Sequence, residues 1–235
     1  MRDFLTFDGV NLEEYKCVIS NAGFYQPPKR RYKTFKVEGR NGDLTMDSGD
    51  YDNIEIKFPA VIYEDFNTNF PALKSFLYSN VGYRKLQTTF APDEYRKAIF
   101  KYIDSVVVSP EGLIGSCKLV FESMPQRWIE TGDNPIEYTA NGTIYNPTDY
   151  PSKPIIRVYG NGTVGVGSTS ITLSSNTGYT DVDCEMMDSY YGSTNRNANV
   201  ALVPNEYPVL APGVTGISLG NGISKVIVTP KWWRV

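Results

Sequence analysis

The acids of Asp181-Val-Asp-Cys-Glu185 fall at alternate positions, so on a strand Asp181, Asp183 and Glu185 would share one face and Val182, Cys184 and Met186 the other. Two carboxylates across a cleft, about 5–9 Å apart, could serve as acid and nucleophile in glycoside hydrolysis. The same acids could ligate calcium. One strand supplies no facing acid, so the alternation instead favours an apolar face in the core and acids in solvent. Asp47, Asp50 and Asp52 lack the spacing of an EF-hand loop with its closing Glu. Trp232-Trp233 could stack on a sugar ring, but adjacent strand residues point to opposite sides. One is then expected in the core and the other at the surface or an interface. Trp232, Trp233, Asp181, Asp183 and Glu185 together are the candidate glycan contacts.

The basic run Lys29-Arg-Arg31, with Lys33 and Lys36, is interleaved with Tyr32 and Phe35. It could grip phosphates while its rings stack on bases. It follows Pro27-Pro28 in a chain of net charge −3, which favours a solvated strand face or a contact between subunits. Arg40, in the turn Gly39-Arg-Asn-Gly42, joins Lys29, Arg30 and Arg31 as a candidate inter-subunit residue.

Histidine is absent, which excludes Ser-His-Asp and Cys-His nucleophile systems, His-ligated zinc and a histidine base. Cys17, Cys117 and Cys184 are far apart and odd in number, as expected of core thiols in a reducing compartment. No apolar run approaches the ~20 residues of a membrane-spanning helix. The opening Met1–Asp8 has no apolar run of signal-peptide type, so export by the secretory route is not expected. Gly160-Asn-Gly-Thr-Val-Gly165-Val-Gly167 is not a phosphate loop, because no Lys-Ser/Thr or helix follows; hairpin turns are expected there and at Gly39–Gly42.

The elements that must hold these residues are mostly strands. Short apolar alternations recur between Gly, Pro and Asn turns, at the spacing of a sandwich or barrel. In the first half strands are expected at Phe4–Phe7, Glu14–Ser20, Lys33–Glu38, Asn53–Ile62 with a bulge or edge at Pro59, Tyr83–Phe90, Arg96–Val108 and Cys117–Glu122. Asn69–Tyr78 is the one helix expected, with Pro71 in its first turn and Leu73, Phe76 and Leu77 on one face. Residues 1–130 hold 17 of the 23 Lys and Arg, whereas residues 131–235 hold 12 of the 20 Gly. That shift predicts a first domain over 1–130, a breaker-rich connection with one strand over 131–153, and a second β domain over 154–235.

Several motifs, taken in order, resemble one family. They are Phe4-Leu-Thr-Phe-Asp-Gly9, Val37-Glu-Gly-Arg-Asn-Gly-Asp-Leu44, Ser48-Gly-Asp-Tyr-Asp-Asn-Ile54, Asn146-Pro147, Pro154-Ile-Ile-Arg-Val-Tyr-Gly160, Asp183-Cys-Glu-Met186, Tyr207-Pro-Val-Leu-Ala-Pro-Gly213 and Pro230-Lys-Trp-Trp233. The chain resembles the distal tail proteins (Dit) of long-tailed siphovirus phages and prophages of Gram-positive bacteria. Lys231 and Thr215 depart from the pattern, where Arg and Asn would be usual.

The resemblance implies a mainly β protein with two β-sandwich-like domains, the N-terminal one carrying a helix and the C-terminal one a galectin-like jelly-roll sandwich. It implies a virion structural protein, without enzymatic activity or cofactor, forming a homo-hexameric ring at the distal end of the tail. The ring would join the tail tube to the baseplate or tail fibre and surround the DNA channel, where DNA passes without specific binding. Partners would be the major tail protein, the tape measure protein and a tail-associated lysin, adhesin or receptor-binding protein. Assembly would take place in the host bacterial cytoplasm without membrane insertion. A carbohydrate- or receptor-binding module is the alternative expectation, and a two-carboxylate glycosidase the third.

Overall fold

The computed structural model describes residues 3–19, 24–175 and 177–235. The chain divides into two compact units, Met1–Arg127 with the terminal Val235, and Trp128–Arg234. In the first lie β1 (Leu5–Phe7), β2 (Val10–Asn11), β3 (Cys17–Ile19), β4 (Arg30–Phe35), β5 (Leu44–Tyr51), β6 (Ile54–Ile62), α1 (Phe66–Ser79), β7 (Arg84–Thr88), β8 (Ala91–Val108) and β9 (Gly115–Ser123). Then come β10 (Arg127–Ile129), which begins at the boundary, β11 (Ile136–Tyr138), β12 (Gly142–Asn146), β13 (Ile155–Gly160), β14 (Gly162–Val166), β15 (Thr169–Leu173) and β16 (Tyr179–Asp183). β17 (Asp188–Tyr191), β18 (Thr194–Asn195), β19 (Val200–Val203), β20 (Gly213–Leu219), β21 (Ile223–Thr229) and β22 (Trp233–Arg234) complete the chain.

The main sheet of the first unit runs β2-β1-β7-β8-β9-β6-β3. It turns back on itself, because Asp3, just before β1, bridges to Ile19 of β3 at the far end of the path. Strict alternation along β6 puts Ile54, Ile56, Phe58, Ala60 and Ile62 in the core. No bulge forms at Pro59: the β6–β9 register is unbroken, and β3 pairs only with Ala60–Ile62, leaving Pro59 beside an open strand edge. The predicted strand over Glu14–Ser20 shortens to β3, since Leu12–Tyr15 form a 3-10 turn capped by the Asn11 side chain. Ser20 lies outside the described residues.

Helix α1 begins three residues earlier than the spacing predicted. The Phe66 N–H donates to the Leu113 carbonyl at 3.1 Å, and the Phe66 ring occupies the space beside Gly115 that a Cβ would fill. Pro71 therefore stands in the second turn and cannot donate to the Asn67 carbonyl. Phe66, Leu73 and Leu77 are buried against the sheet, with Phe70 and Phe76 packed beside them, and these offset the defect.

The second unit is two antiparallel sheets, β11-β21-β13-β16-β17-β18 and β12-β20-β14-β15-β19. Ile156, Val158, Val182, Val226 and Val228 of one sheet and Ile144, Val164, Val166, Ile171 and Ile217 of the other make a shared core, as in a β-sandwich. Residues 131–153 contribute β11 and β12, an outermost strand of each sheet. Their Pro and Gly suit strand edges, where ladder donors are needed on one side only. Gly160 turns β13 into β14 at φ 102°, and a Cβ there would overlap the carbonyl oxygen of Gly222.

Candidate functional site

The basic run lies on a structure that stands apart from both cores. β4 and β5 pair only with each other among the described residues. Every residue of the hairpin except Tyr51 is exposed. Its turn uses Gly39 and Gly42, both at positive φ, and Arg40 N–H closes it on the Val37 carbonyl at 3.2 Å. We refer to residues 29–52 as the arm.

At the root of the arm, Arg30 donates to Asp47 at 2.8 Å and to the Tyr51 hydroxyl at 3.1 Å, and its guanidinium lies over the Tyr51 ring. Arg31 spans Asp50 at 2.8 Å and Asp52 at 2.9 Å. The Lys29 carbonyl accepts the Asp52 N–H at 2.9 Å. Asp47, Asp50 and Asp52 are thus partners of the arginines across the hairpin, which explains their spacing without calcium. Exposed pairs of this kind add little stability, but they fix the register. The pairs Phe35↔Leu44 and Lys33↔Met46 put Phe35, Leu44 and Met46 on one face with Lys33 at its rim. Phe35 and Met46 are about half exposed, at 49% and 53%. Leu44–Tyr51 escaped the sequence reading because Asp47-Ser-Gly-Asp50 carries no apolar alternation.

The segment leading into the arm is held by a buried cation that the sequence reading missed. Arg96, on β8, is 1% exposed. Its Nε and Nη2 both donate to the Phe24 carbonyl, at 3.0 and 2.9 Å, and Nη1 donates to the Pro125 carbonyl at 3.0 Å. Longer bonds reach Gln26 and Met124 carbonyls. Burial, and the nearby charge of Arg127, pull its pKa down to about 10, so it remains a cation at neutral pH. One side chain therefore ties the root of the arm to the segment after β9. The only sequence signal was a charged residue inside an apolar strand.

The acids of the second unit are arranged differently from the expected solvent-facing row. Asp181 and Asp183 are buried and only Glu185 is exposed. Arg157 lies opposite Asp181 in the β13–β16 register and makes a forked pair with it, at 2.7 and 2.9 Å. That guanidinium also lies 4.1 Å from the Tyr179 ring centroid. Hydrogen bonding to Asp181 holds the Arg157 pKa above its ordinary value. The strand ends at Asp183, whose Oδ1 accepts the N–H groups of Glu185 and Met186, so Met186 is exposed rather than in the core. Glu185 pairs with Lys153 at 3.2 Å. Each carboxylate already has a structural partner. Trp232 is in the core, whereas half-buried Trp233 donates from Nε1 to the Pro151 carbonyl and packs on Tyr150 at 4.6 Å.

All three cysteines are buried free thiols. Burial raises the pKa of Cys17 and Cys184 far above the ordinary thiol range and pushes Cys117 up to about 11. Among the described residues no cluster of three His, Cys, Asp or Glu could hold a metal, and no helix is long and apolar enough to cross a membrane.

No protein-family model matches this chain, and no curated protein does. Solved structures do. The Dit protein of phage SPP1, described as a paradigm of the hub adsorption apparatus in phages infecting Gram-positive bacteria, superimposes with a TM-score of 0.71. Identity is 13%, and 100% of each chain is covered. One chain of the phage p2 baseplate in its activated conformation with Sr matches at a TM-score of 0.52 and 10% identity, over 96% of this chain and 97% of that one. The whole of this mainly β chain thus has the fold of the SPP1 Dit protein.

Proposed function

We propose that the protein is a structural hub of a phage tail tip. Six copies form a ring that joins the tail tube to the baseplate or tail fibre and encloses the DNA channel. The observation that supports this best is the end-to-end likeness to the SPP1 hub protein, which covers both units rather than one sandwich. In this reading a first domain over 1–130, which takes in the first unit, builds the ring, and Lys29, Arg30, Arg31 and Arg40 belong to the arm that meets a neighbouring copy. The sandwich, to which 154–235 give most strands and 131–153 give β11 and β12, faces the adhesion device. The partners are the major tail protein, the tape measure protein and a tail-associated lysin or receptor-binding protein. Assembly takes place in the host cytoplasm, and the chain has no enzymatic activity. A near-neutral surface with a net charge of −3 lets a polyanion pass without sticking.

Light scattering behind a sizing column, over a range of concentrations, tests the ring. The expected mass is that of six chains of 26.3 kDa, with a central hole in electron micrographs. A monomer at every concentration, alone and mixed with the tube protein, overturns it.

A second reading, contact with a glycan receptor, is favoured by the outer face of one sheet rather than by the tryptophans. Tyr159, Tyr179 and Tyr191 form a row of rings with centroids 5.8 and 4.7 Å apart, with Arg157 and Lys225 laid on them. Tyr179→Ala would abolish binding to host cells or cell-wall glycans if this face carried it. Unchanged binding removes the reading.

A further inference from the structure

We propose that a groove on the outer face of the β11-β21-β13-β16 sheet holds one uncharged sugar residue of a glycan chain, with the Arg157–Asp181 pair as its hydrogen-bonding end. This rests on the glycan-receptor reading and deepens it, by naming the subsite and the class of sugar.

The strand registers set three rows of side chains side by side on this face. Thr229 and Ile155 belong to the first, Ile227, Arg157 and Asp181 to the second, and Tyr159 and Tyr179 to the third. Two residues separate each row from the next, so the set spans about 13–14 Å along the strands. The first two rows, with Pro135, line a groove of about 270 Å³. Small-molecule pockets usually measure about 300–1,000 Å³. This one is smaller, the size of a subsite for one ring of a longer chain. Ile155, Ile227 and Pro135 give it an apolar lining for the C–H face of that ring.

The polar end is an ion pair already in place. The Asp181 side chain lines the groove although it is only 8% exposed, and Arg157, 40% exposed, lies against it. The fork uses Nε and Nη2, at 2.7 and 2.9 Å, and leaves out Nη1. A carboxylate has about four acceptor positions, and the fork takes two of them. Donor and acceptor capacity thus remain at one place, which suits hydroxyls, since each hydroxyl both donates and accepts. The guanidinium also rests 4.1 Å from the Tyr179 ring centroid, so neither partner has to be ordered on binding.

Charge decides the class of ligand. On this side of the sheet two cations, Arg157 and Lys225, stand among Glu137, Asp181, Asp183 and Asp188. The balance is acidic, which repels a polymer bearing phosphates or carboxylates. Nor do the acids call for a cationic partner. Arg157 holds Asp181, and Lys225 pairs with Glu137 at 3.2 Å. Asp183 Oδ1 accepts two backbone N–H groups, and Asp188 Oδ1 takes the side-chain amides of Asn195 and Asn197. An uncharged polyol meets neither repulsion nor competition, and its hydroxyls match the pair.

The test uses the full chain and saturation-transfer difference NMR, which reads weak binding. The probes are neutral tetrasaccharides of glucose, galactose, rhamnose and N-acetylglucosamine, with poly(glycerol phosphate) and tetralysine as charged controls. At least one neutral sugar should show transfer to its ring C–H protons, insensitive to salt, with a dissociation constant of about 1 mM for a single open subsite. Ile155→Trp, which fills the groove and leaves the ion pair alone, should abolish the transfer. Arg157→Lys keeps the charge without the fork and should weaken binding about tenfold. Calorimetry of the second unit's transition shows whether each variant is folded. If a neutral sugar binds and both folded variants bind it as wild type does, the groove is wrong and the glycan reading stands. If only poly(glycerol phosphate) binds, the class of sugar is wrong and the glycan reading again stands. Binding of tetralysine alone, lost in salt, makes the face a site for basic peptide and ends both. If no probe binds, the glycan reading fails and the subsite falls with it.

Discussion

Replacing Arg96 by Met would remove a cation that holds two separate segments through their backbones. The Phe24 carbonyl would lose two donors at 2.9–3.0 Å and the Pro125 carbonyl one at 3.0 Å, with weaker losses at Gln26 and Met124. Hydrogen bonds from a charged donor contribute about 1.5–3 kcal/mol each, and a buried carbonyl left without a partner costs about 1–3 kcal/mol. Against this, Met does not have to be stripped of a cation's hydration, and its volume keeps part of the packing on the Phe24 ring, which lies 5.4 Å from the guanidinium. The net loss is expected at about 3–5 kcal/mol, the range for breaking a buried charged contact. For a unit of this size that lowers the melting temperature by roughly 10–20 °C. Tryptophan fluorescence is the wrong probe, because Trp128, Trp232 and Trp233 all lie in the second unit. Scanning calorimetry resolves the first unit's transition, and the second unit's transition serves as the internal control. Arg96→Lys should recover less than half, since one ammonium cannot fork between Phe24 and Pro125. A first-unit transition within about 1 kcal/mol of wild type for Arg96→Met would refute the reasoning, by showing that the carbonyls find water at no cost.

Four further outcomes are expected. Leu77→Ala, at a fully buried position of α1, should destabilise the first unit by about 2–5 kcal/mol in calorimetry, while Val81→Ala, 78% exposed, should change it by less than about 0.5 kcal/mol. Asp181→Asn should cost the second unit about 1.5–3 kcal/mol by urea unfolding followed through tryptophan fluorescence; Asp47→Asn, at an exposed pair, should cost under about 1 kcal/mol and lose its effect in high salt. Gly160→Ala should destabilise the second unit by about 2 kcal/mol or more, because the new Cβ meets the Gly222 carbonyl and the backbone is held at φ 102°. A thiol reagent at pH 8 should find fewer than one reactive cysteine per native chain and all three in urea, since burial holds each thiol protonated; rapid native labelling would contradict the placement of Cys17, Cys117 and Cys184.

What could be read from the sequence was what alternation writes directly. β6 shows it in Ile54, Ile56 and Phe58, and the sandwich strands show it in Ile156, Val158, Val226 and Val228, because each buries one face and so leaves a period of two. The misreadings share one cause, which is that tertiary partners changed what a local pattern means. Asp181 and Asp183 looked solvent-facing because alternation distinguishes two faces but does not say that an arginine on the next strand will cover one of them. Met186 was assigned to the core by extending the strand past Asp183, whose carboxylate instead caps the turn. Pro71 falls in the second turn rather than the first because the Leu113 carbonyl, 47 positions after Phe66, receives that residue's N–H and starts the helix three residues early, which nothing local reveals. The arm was half legible: the turn at Gly39–Gly42 and part of β4 show in the sequence, whereas β5, with neither face in a core, has no reason to alternate. Phe35, Leu44 and Met46 are about half exposed and meet one another across the hairpin rather than in either core.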